Sequence, residues 1–131
     1  MKKVALLTGG GDAPGLNAVI RGAVTRLAHD KGQEYRCLGF VDGWAGLRDD
    51  NKVDLSANRV TEIIYEGGTI LGTSRTNLYK NAESVARALA VWKRHELDGL
   101  VAIGGDDTLE IGYYLRRDHG QNVVGLPKTI D

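Results

Sequence analysis

The hydrophobic positions of this chain follow two patterns that alternate along the sequence, and the first consists of short, largely apolar runs. Such runs predict β-strands that are covered on both faces, as the strands of a parallel sheet are. Glycines directly follow the runs that end at Thr8 and Ile103, which marks the points where these strands end. The predicted strands cover residues 4–8, 35–41, 100–103 and 123–126.

The second pattern places apolar residues three and four positions apart, which predicts amphipathic helices. These helices cover residues 16–29, 82–96 and 109–119, while residues 60–66 fit a short helix or a strand equally well. Strands that alternate with helices of this length favour right-handed βαβ units. We therefore predict an α/β fold with a doubly wound, mainly parallel sheet flanked by helices, in which ligands bind beyond the carboxyl ends of the strands.

Composition narrows the range of partners. The chain has 131 residues, enough for one domain, and its 17 Lys and Arg balance its 17 Asp and Glu. A nucleic-acid-binding protein would carry a basic excess, so we expect no nucleic-acid partner. No apolar run in the sequence is long enough to cross a bilayer. The single cysteine, Cys37, cannot form an internal disulfide. We therefore expect a cytoplasmic protein that does not enter the membrane.

One predicted strand ends in a turn that combines glycines with two adjacent carboxylates, Gly104-Gly105-Asp106-Asp107-Thr108. A glycine turn allows other groups to approach the backbone closely. Two carboxylates would repel a phosphate unless a cation lay between them, and Mg²⁺ is usually held by one or two carboxylates together with phosphate oxygens. The turn therefore indicates metal-assisted phosphoryl chemistry, although glycine and aspartate are also common in ordinary surface turns.

The first strand ends in a second glycine-rich loop, residues 9–15, that leads into a helix. Backbone N–H groups and the positive end of the helix dipole make such a loop suitable for an anion. The loop does not match the dinucleotide-binding pattern, because Pro14 stands where that pattern needs its last glycine. It does not match the Walker loop either, because it lacks Gly-Lys followed by Ser or Thr. We interpret it as a phosphate site of another kind, with a tight strand-to-helix turn as the alternative.

Two further clusters carry cations and hydroxyl groups. Residues 67–76 combine three glycines with hydroxyls and Arg75, a side chain suited to bidentate phosphate contacts. Lys128, Thr129 and Asp131 follow the last predicted strand. Because the carboxyl ends of parallel strands meet at one edge of a sheet, all four clusters are expected to face one crevice.

These four clusters resemble the phosphofructokinase family in order and spacing, and the resemblance extends over the whole chain. One departure is Gly9, where many members carry serine; we expect this change only to remove a hydroxyl near the phosphates. Members of the family transfer a phosphoryl group to the 1-hydroxyl of fructose 6-phosphate in glycolysis. The matching segments are residues 7–17, 41–47, 67–75, 104–108 and 127–131.

The resemblance implies a role for each matching residue. Asp131 corresponds to the base that takes the proton of the sugar hydroxyl, and Thr129 corresponds to a hydroxyl that contacts the sugar phosphate. Arg75 corresponds to the arginine that stabilises the transferred group, and Asp106 corresponds to the carboxylate linked to Mg²⁺. Lys128 is counted with the catalytic residues because it can reach the phosphates. The implied donor-binding residues are Gly10, Gly11, Arg75, Gly105, Asp106, Asp107 and Thr108.

Asp107 and Lys128 favour pyrophosphate over ATP as the donor. ATP-using bacterial members of the family tend to carry glycine at both positions. A carboxylate at position 107 would repel the α-phosphate of ATP by about 1 kcal/mol at 4 Å in water, and by several more in a partly dry cleft. Lys128 would offset phosphate charge, and Val41 offers less surface for adenine than the aromatic residue some ATP-using members have. ATP remains the alternative donor.

The sequence stops at Asp131, whereas members of the family continue with a second half that binds the sugar phosphate. We therefore expect residues 1–131 to form a phosphoryl-donor-binding domain that is truncated before the sugar-phosphate half. This chain alone should bind donor phosphate weakly and turn over negligibly, and the full-length enzyme should form a homo-oligomer. Two other readings remain: a non-catalytic phosphate-binding remnant, and a kinase for NAD or a lipid that shares only the Gly-Gly-Asp turn.

Overall fold

A computed structural model of the chain describes residues 1–10, 16–30, 32–55 and 71–127. Its centre is a five-stranded sheet in the order β3-β2-β1-β4-β5. β1 pairs in parallel with β2 and β4, β4 pairs in parallel with β5, and β2 pairs with β3 in antiparallel fashion. The strands are β1 (Lys2–Thr8), β2 (Tyr35–Phe40), β3 (Lys52–Leu55), β4 (Gly99–Gly104) and β5 (Val123–Pro127).

The helices lie between these strands. They are α1 (Leu16–Ala28), α2 (Trp44–Asp49), α3 (Ala82–Arg94) and α4 (Asp106–His119), and a 3₁₀ turn (Leu78–Lys80) precedes α3. Asn81 caps α3 by accepting a 2.7 Å hydrogen bond from the N–H of Ser84. None of the helices in these described ranges is long and apolar enough to span a membrane.

Two hydrophobic clusters cover the two faces of the sheet, because side chains alternate along each strand. On β1, Ala5 and Leu7 join the cluster that contains residues of α2, α3 and α4, whereas Leu6 joins the cluster that contains residues of α1. Helices therefore flank both faces of the sheet. This arrangement confirms the predicted doubly wound α/β fold.

All four predicted strands and all three predicted helices are present, but the prediction was wrong about two details. It contained neither α2 nor β3, which together occupy most of residues 44–55. It also began the last helix at Leu109, whereas α4 begins at Asp106. The ambiguous segment 60–66 lies outside the described residues.

The strand order determines where a ligand can bind. The chain passes from β1 through α1 to β2 on one side of the sheet, and later places β4 on the other side of β1. The connections therefore diverge between β1 and β4, which leaves a crevice at the carboxyl ends of these two strands. β1 ends at Thr8 and β4 ends at Gly104, so Gly9, Gly10 and Gly105, which follow these strands, lie beside this crevice.

Candidate functional site

A cleft of about 420 Å³ opens at this crevice. It brings together all six predicted donor-binding residues that lie within the described ranges, although they come from three separate segments of the chain. These residues are Gly10, Arg75, Gly105, Asp106, Asp107 and Thr108. A larger cavity of about 520 Å³ between α4 and β5 contains none of them.

Pairing between β1 and β4 brings the first two segments together. The N–H of Gly9 donates a 2.9 Å hydrogen bond to the carbonyl oxygen of Ile103, which extends the ladder by one residue beyond β1. Gly10 then turns away with a φ of 81°, a backbone conformation that favours glycine. A Cβ atom on Gly10 would lie 3.9 Å from the backbone nitrogen of Gly105, so the loop after β1 runs directly against the turn after β4.

Hydrogen bonds from the ends of β1 and β2 hold the third segment, residues 71–76, across the sheet edge. The hydroxyl of Thr8 donates to the carbonyl oxygen of Gly72 at 2.7 Å. The N–H of Asp42, just after β2, donates to the carbonyl oxygen of Leu71 at 2.8 Å. These two bonds fix the start of the segment that delivers Arg75 to the cleft.

Ser74 fixes the other end of this segment. Its carbonyl oxygen accepts a 3.2 Å hydrogen bond from the N–H of Gly10. Its hydroxyl donates to the carbonyl oxygen of Asp42 at 2.6 Å and lies 3.1 Å from the hydroxyl oxygen of Thr76. Gly10 therefore lines the cleft with its N–H already engaged, so its contribution is a close approach to the backbone and not a free donor.

The carboxylates of Asp106 and Asp107 lie in the first turn of α4. The sequence predicted them in a turn before the helix, and this detail was wrong. Asp106 and Asp107 are exposed, and Gly105 caps the helix without a side-chain hydrogen bond. Carboxylates in the first turn of a helix are stabilised by the helix dipole, by typically 0.3–1 kcal/mol each. The carboxylates thus occupy the end of the helix that a phosphate would otherwise favour.

Thr108, the third residue of α4, is buried, with 4% of its surface exposed. It lines the cleft at the junction between the loop after β1 and the turn after β4. A Cβ atom built on Gly104 would lie 3.1 Å from both the Cβ and the hydroxyl oxygen of Thr108. The side chain is therefore packed against the turn and not extended into solvent.

Residues outside the predicted donor-binding set complete the cleft, and two of them, Ser74 and Thr76, belong to the hydroxyl-containing cluster 67–76. Lys80, at the end of the 3₁₀ turn, adds a second cation, and neither it nor Arg75 forms an ion pair with any of the described residues. Asn77 accepts a hydrogen bond from the N–H of Tyr79 and so starts this turn. Asparagine is a common residue at helix starts, so Asn77 and Asn81 are the sequence signal for the starts of the 3₁₀ turn and α3, but this signal does not show that Lys80 lines the cleft. The additional residues that line the cleft are Ser74, Thr76, Asn77, Lys80 and Ile111.

Four predicted site residues lie outside the described residues. Gly11 belongs to the loop after β1, and Lys128, Thr129 and Asp131 follow β5. Val41, the weaker indicator of the donor, is half-buried between β2 and α2.

The fold and the sequence of this chain are similar to those of known phosphofructokinases. The crystal structure of Pichia pastoris phosphofructokinase in the T-state superposes with a TM-score of 0.87 at 31% identity, over 99% of this chain and 15% of that chain. A pyrophosphate–fructose 6-phosphate 1-phosphotransferase of Amycolatopsis methanolica is 48% identical over 98% of this chain and 37% of its own length. An ATP-dependent 6-phosphofructokinase of Glaesserella parasuis serovar 5 (strain SH0165) is 44% identical over 100% of this chain and 40% of its own length.

This chain therefore spans less than half the length of the curated relatives it matches. The sequence profile of the phosphofructokinase family matches residues 3–131. Nearly the whole chain thus carries the pattern of this family, and the sheet, the glycine-rich segments and the cleft agree with it. The chain belongs to the phosphofructokinase family.

Proposed function

We propose that this chain is the phosphoryl-donor-binding part of an enzyme that transfers a phosphoryl group from pyrophosphate to the 1-hydroxyl of fructose 6-phosphate. Asp107 carries this proposal, because its exposed carboxylate lines the cleft beside Asp106 and Thr108. Pyrophosphate has no α-phosphate and no nucleoside, so no group of this donor has to lie against the carboxylate of Asp107. ATP would have to place a third phosphate and a ribose there, against a like charge.

The charges of the cleft fit a donor that arrives with a divalent cation. Asp106 and Asp107 contribute two negative charges, and Arg75 and Lys80 contribute two positive ones, so these four side chains carry no net formal charge. A diphosphate therefore needs a further cation, and one or two carboxylates with phosphate oxygens are the usual ligands of Mg²⁺.

The donor set on the protein also fits a cation that is bound jointly with the phosphate. Within the described residues, no group of three or more His, Cys, Asp or Glu side chains could hold a metal ion by itself. Asp106, with Asp107 beside it, would hold Mg²⁺ together with the pyrophosphate oxygens. When bound, this ion neutralises charge on the transferred group.

The cations of the cleft would orient the donor. Arg75 can make two parallel hydrogen bonds to phosphate oxygens, and its backbone is held by the neighbouring Ser74. Lys80 would act as a second point charge from the 3₁₀ turn. Phosphoryl transfer depends on positioning and charge neutralisation, so these two side chains are proposed to stabilise the charge that develops on the transferred group.

The acceptor side of the reaction is proposed from the residues that follow β5. Asp131 would take the proton of the sugar 1-hydroxyl while that oxygen forms a bond to phosphorus. The bond between this phosphorus and the bridging oxygen breaks, and inorganic phosphate leaves. Thr129 would contact the sugar phosphate and Lys128 would offset donor charge, which leaves fructose 1,6-bisphosphate and phosphate as products of a reaction that can run in either direction.

ATP is the second candidate donor, since relatives named for either donor match this chain with similar identity, 48% and 44%. The identities therefore do not discriminate between the two. We propose that the side chain at position 107 distinguishes pyrophosphate from ATP, and a single substitution at this position tests the proposal.

The test uses the full-length protein that the gene encodes. Formation of fructose 1,6-bisphosphate from fructose 6-phosphate and Mg²⁺ is measured with pyrophosphate and with ATP, for wild type, Asp107→Gly and Asp107→Asn. Asparagine removes the charge but keeps the size, so it separates repulsion from steric exclusion. Thermal unfolding of each variant controls for the dipole stabilisation that is lost with the carboxylate.

Activity with pyrophosphate alone, and ATP use gained in Asp107→Gly, would support the proposal. Efficient ATP use by the wild type would show that the carboxylate is tolerated and would overturn the donor assignment. Lack of activity with both donors would favour a non-catalytic phosphate-binding protein. Size-exclusion chromatography of the same preparation would test the proposed homo-oligomer.

A further inference from the structure

The side chain of Thr108 lies against two glycines from different strand ends. A Cβ atom built on Gly9 would collide with the hydroxyl oxygen of Thr108, and would lie 3.0 Å from its Cγ2 and 3.2 Å from its Cβ. A Cβ atom built on Gly104 would lie 3.1 Å from the hydroxyl oxygen of Thr108 and 2.6 Å from the carbonyl oxygen of Gly9. The three residues therefore form a close contact in which each position limits the size of the others.

The contact at Gly9 has little freedom to adjust. Thr108 is β-branched and lies in the first turn of α4, where rotation about χ1 is restricted. Its Cβ, which rotation does not move, is itself close to the added atom. The 2.9 Å hydrogen bond from the N–H of Gly9 to the carbonyl oxygen of Ile103 also holds Gly9 against the end of β4, from which the chain continues into α4. A larger residue at position 9 would thus have to push the loop after β1 away from α4.

The chain neighbours of this contact line the cleft: Gly10 follows Gly9, and Asp106 and Asp107 precede Thr108. A phosphate that contacts both segments would be sensitive to a change of a few tenths of an ångström in their separation.

We propose that Gly9 and Thr108 act as a matched pair that sets the separation between residues 9–10, which follow β1, and the first turn of α4. Thr108 is a positioning residue in this role, because its packing and not a contact with the donor determines the geometry. This inference rests on the proposed function, since it assigns the pair to the donor-binding side of the same reaction. It requires that changes at the two positions are strongly coupled.

The test is a double-mutant cycle in the full-length protein, with Gly9→Ala, Thr108→Ser and the double variant. Serine at position 108 keeps the hydroxyl but lacks Cγ2, so its oxygen can turn away from an added Cβ. Gly22→Ala is the matched control, because this exposed helical glycine has no atom within 4 Å of an added Cβ. The measured quantities are KM for pyrophosphate, kcat and the melting temperature.

We expect Gly9→Ala to raise KM for pyrophosphate at least about tenfold, equivalent to about 1.4 kcal/mol, with a smaller change in kcat. The double variant should recover most of this loss, and Gly22→Ala should keep the wild-type KM. A wild-type KM in Gly9→Ala, or a double variant no better than Gly9→Ala, would overturn the proposal. A purely structural effect would lower the active fraction, and so kcat, with KM unchanged, and would also overturn it.

Two further readouts keep the test decisive. If Gly9→Ala does not fold at the assay temperature, the melting temperatures still report the coupling: recovery in the double variant supports the pair, and no recovery contradicts it. If the wild type uses ATP instead, the proposed donor is wrong, but the same cycle can be measured with ATP. If the wild type uses neither donor, calorimetry measures the binding of inorganic pyrophosphate with Mg²⁺ in place of KM. Weaker binding in Gly9→Ala with recovery in the double variant would support the matched pair, and lack of either effect would contradict it.

Discussion

The hydroxyl of Ser74 donates a 2.6 Å hydrogen bond to the carbonyl oxygen of Asp42, directly after β2. The carbonyl of the same serine accepts a hydrogen bond from Gly10, directly after β1. Ser74 therefore joins two loops that follow neighbouring strands, and it does so one residue before Arg75. These hydrogen bonds fix the backbone that carries Arg75 to the cleft.

We predict that Ser74→Ala weakens donor binding and destabilises the protein. The change leaves the carbonyl oxygen of Asp42 without this donor and removes the oxygen next to Thr76, and a lost hydrogen bond of this kind costs about 1 kcal/mol. KM for the donor should rise several-fold, because the backbone that carries Arg75 loses one of its fixed points. Steady-state kinetics and urea unfolding of the full-length protein would measure the two effects.

Ser74→Thr is the matched control for this prediction, since threonine retains the hydroxyl at the same position. It should stay closer to wild type than the alanine variant in both measurements. Equal KM values for wild type and Ser74→Ala would show that the network does not position Arg75.

The elements that were predictable from the sequence are those whose residues are buried on a repeating pattern. β1 and β4 read as apolar runs because helices cover both faces of the sheet, and α3 reads as a helix because only one of its faces packs on the core. α2 and β3 were missed for a physical reason. They are short, with six and four residues, and β3 lies at the sheet edge, so neither buries enough side chains to show a period.

The candidate site was predictable where glycines and charged residues directly follow a strand. Gly10, Gly105 and Asp106 were expected to face one crevice for this reason, and they line one cleft, since parallel strands bring their carboxyl ends to one sheet edge. Lys80 was not found, because the local cap at Asn77 indicates a turn but not which part of the fold the turn faces. The role of Gly9 was also missed: its absent side chain removes more than a hydroxyl, because Thr108 occupies the space where a Cβ would lie.

Lys80 should contribute directly to donor affinity. This residue lines the cleft and its ammonium group forms no ion pair with the described residues, so we expect it to bind a phosphate oxygen. Hydrogen bonds to charged groups contribute about 1.5–3 kcal/mol, so we expect Lys80→Met to raise KM for the donor about tenfold or more. Methionine retains most of the length of the side chain, so lost charge and not lost packing is tested.

Lys93→Met provides the comparison for this variant. Lys93 is an exposed lysine in the last turn of α3 and does not line the cleft. Its replacement should leave KM at the wild-type value. The effect of Lys80→Met should also shrink at high ionic strength, because salt screens exposed charges. A loss of activity that salt does not change would indicate that Lys80 acts through structure alone.

A second cluster of charges, which shares no residue with the cleft, joins the ends of α2 and α3. Asp50 contacts the Nζ of Lys52 at 2.8 Å, a guanidinium nitrogen of Arg94 at 3.0 Å and the Nε2 of His95 at 2.7 Å. Desolvation raises the pKa of Asp50, but the hydrogen bonds from Lys52 and His95 outweigh it and lower the pKa from 3.8 to about 2. The folded protein therefore holds this carboxylate in its charged form more strongly than the unfolded chain does.

This pKa difference predicts a pH-dependent contribution to stability. A carboxylate with a lowered pKa in the folded state stabilises the protein above its unfolded pKa of 3.8, and the contribution is lost as the pH falls toward about 2. Since solvent screens partly exposed ion pairs, we expect Asp50→Asn to reduce the free energy of unfolding at pH 6 by about 1 kcal/mol. The difference in the free energy of unfolding between Asp50→Asn and wild type should approach zero as the pH nears about 2.

Urea unfolding at pH 6, 4 and 2.5 would follow this difference directly. Asp54→Asn serves as the control, because Asp54 pairs only at the surface with Arg36, at 3.0 Å and with side chains 69% and 51% exposed. Its effect should be small at every pH, as is usual for exposed pairs. If Asp50→Asn had the same effect at pH 6 and at pH 2.5, the contribution of Asp50 would come from packing or backbone geometry and not from its charge.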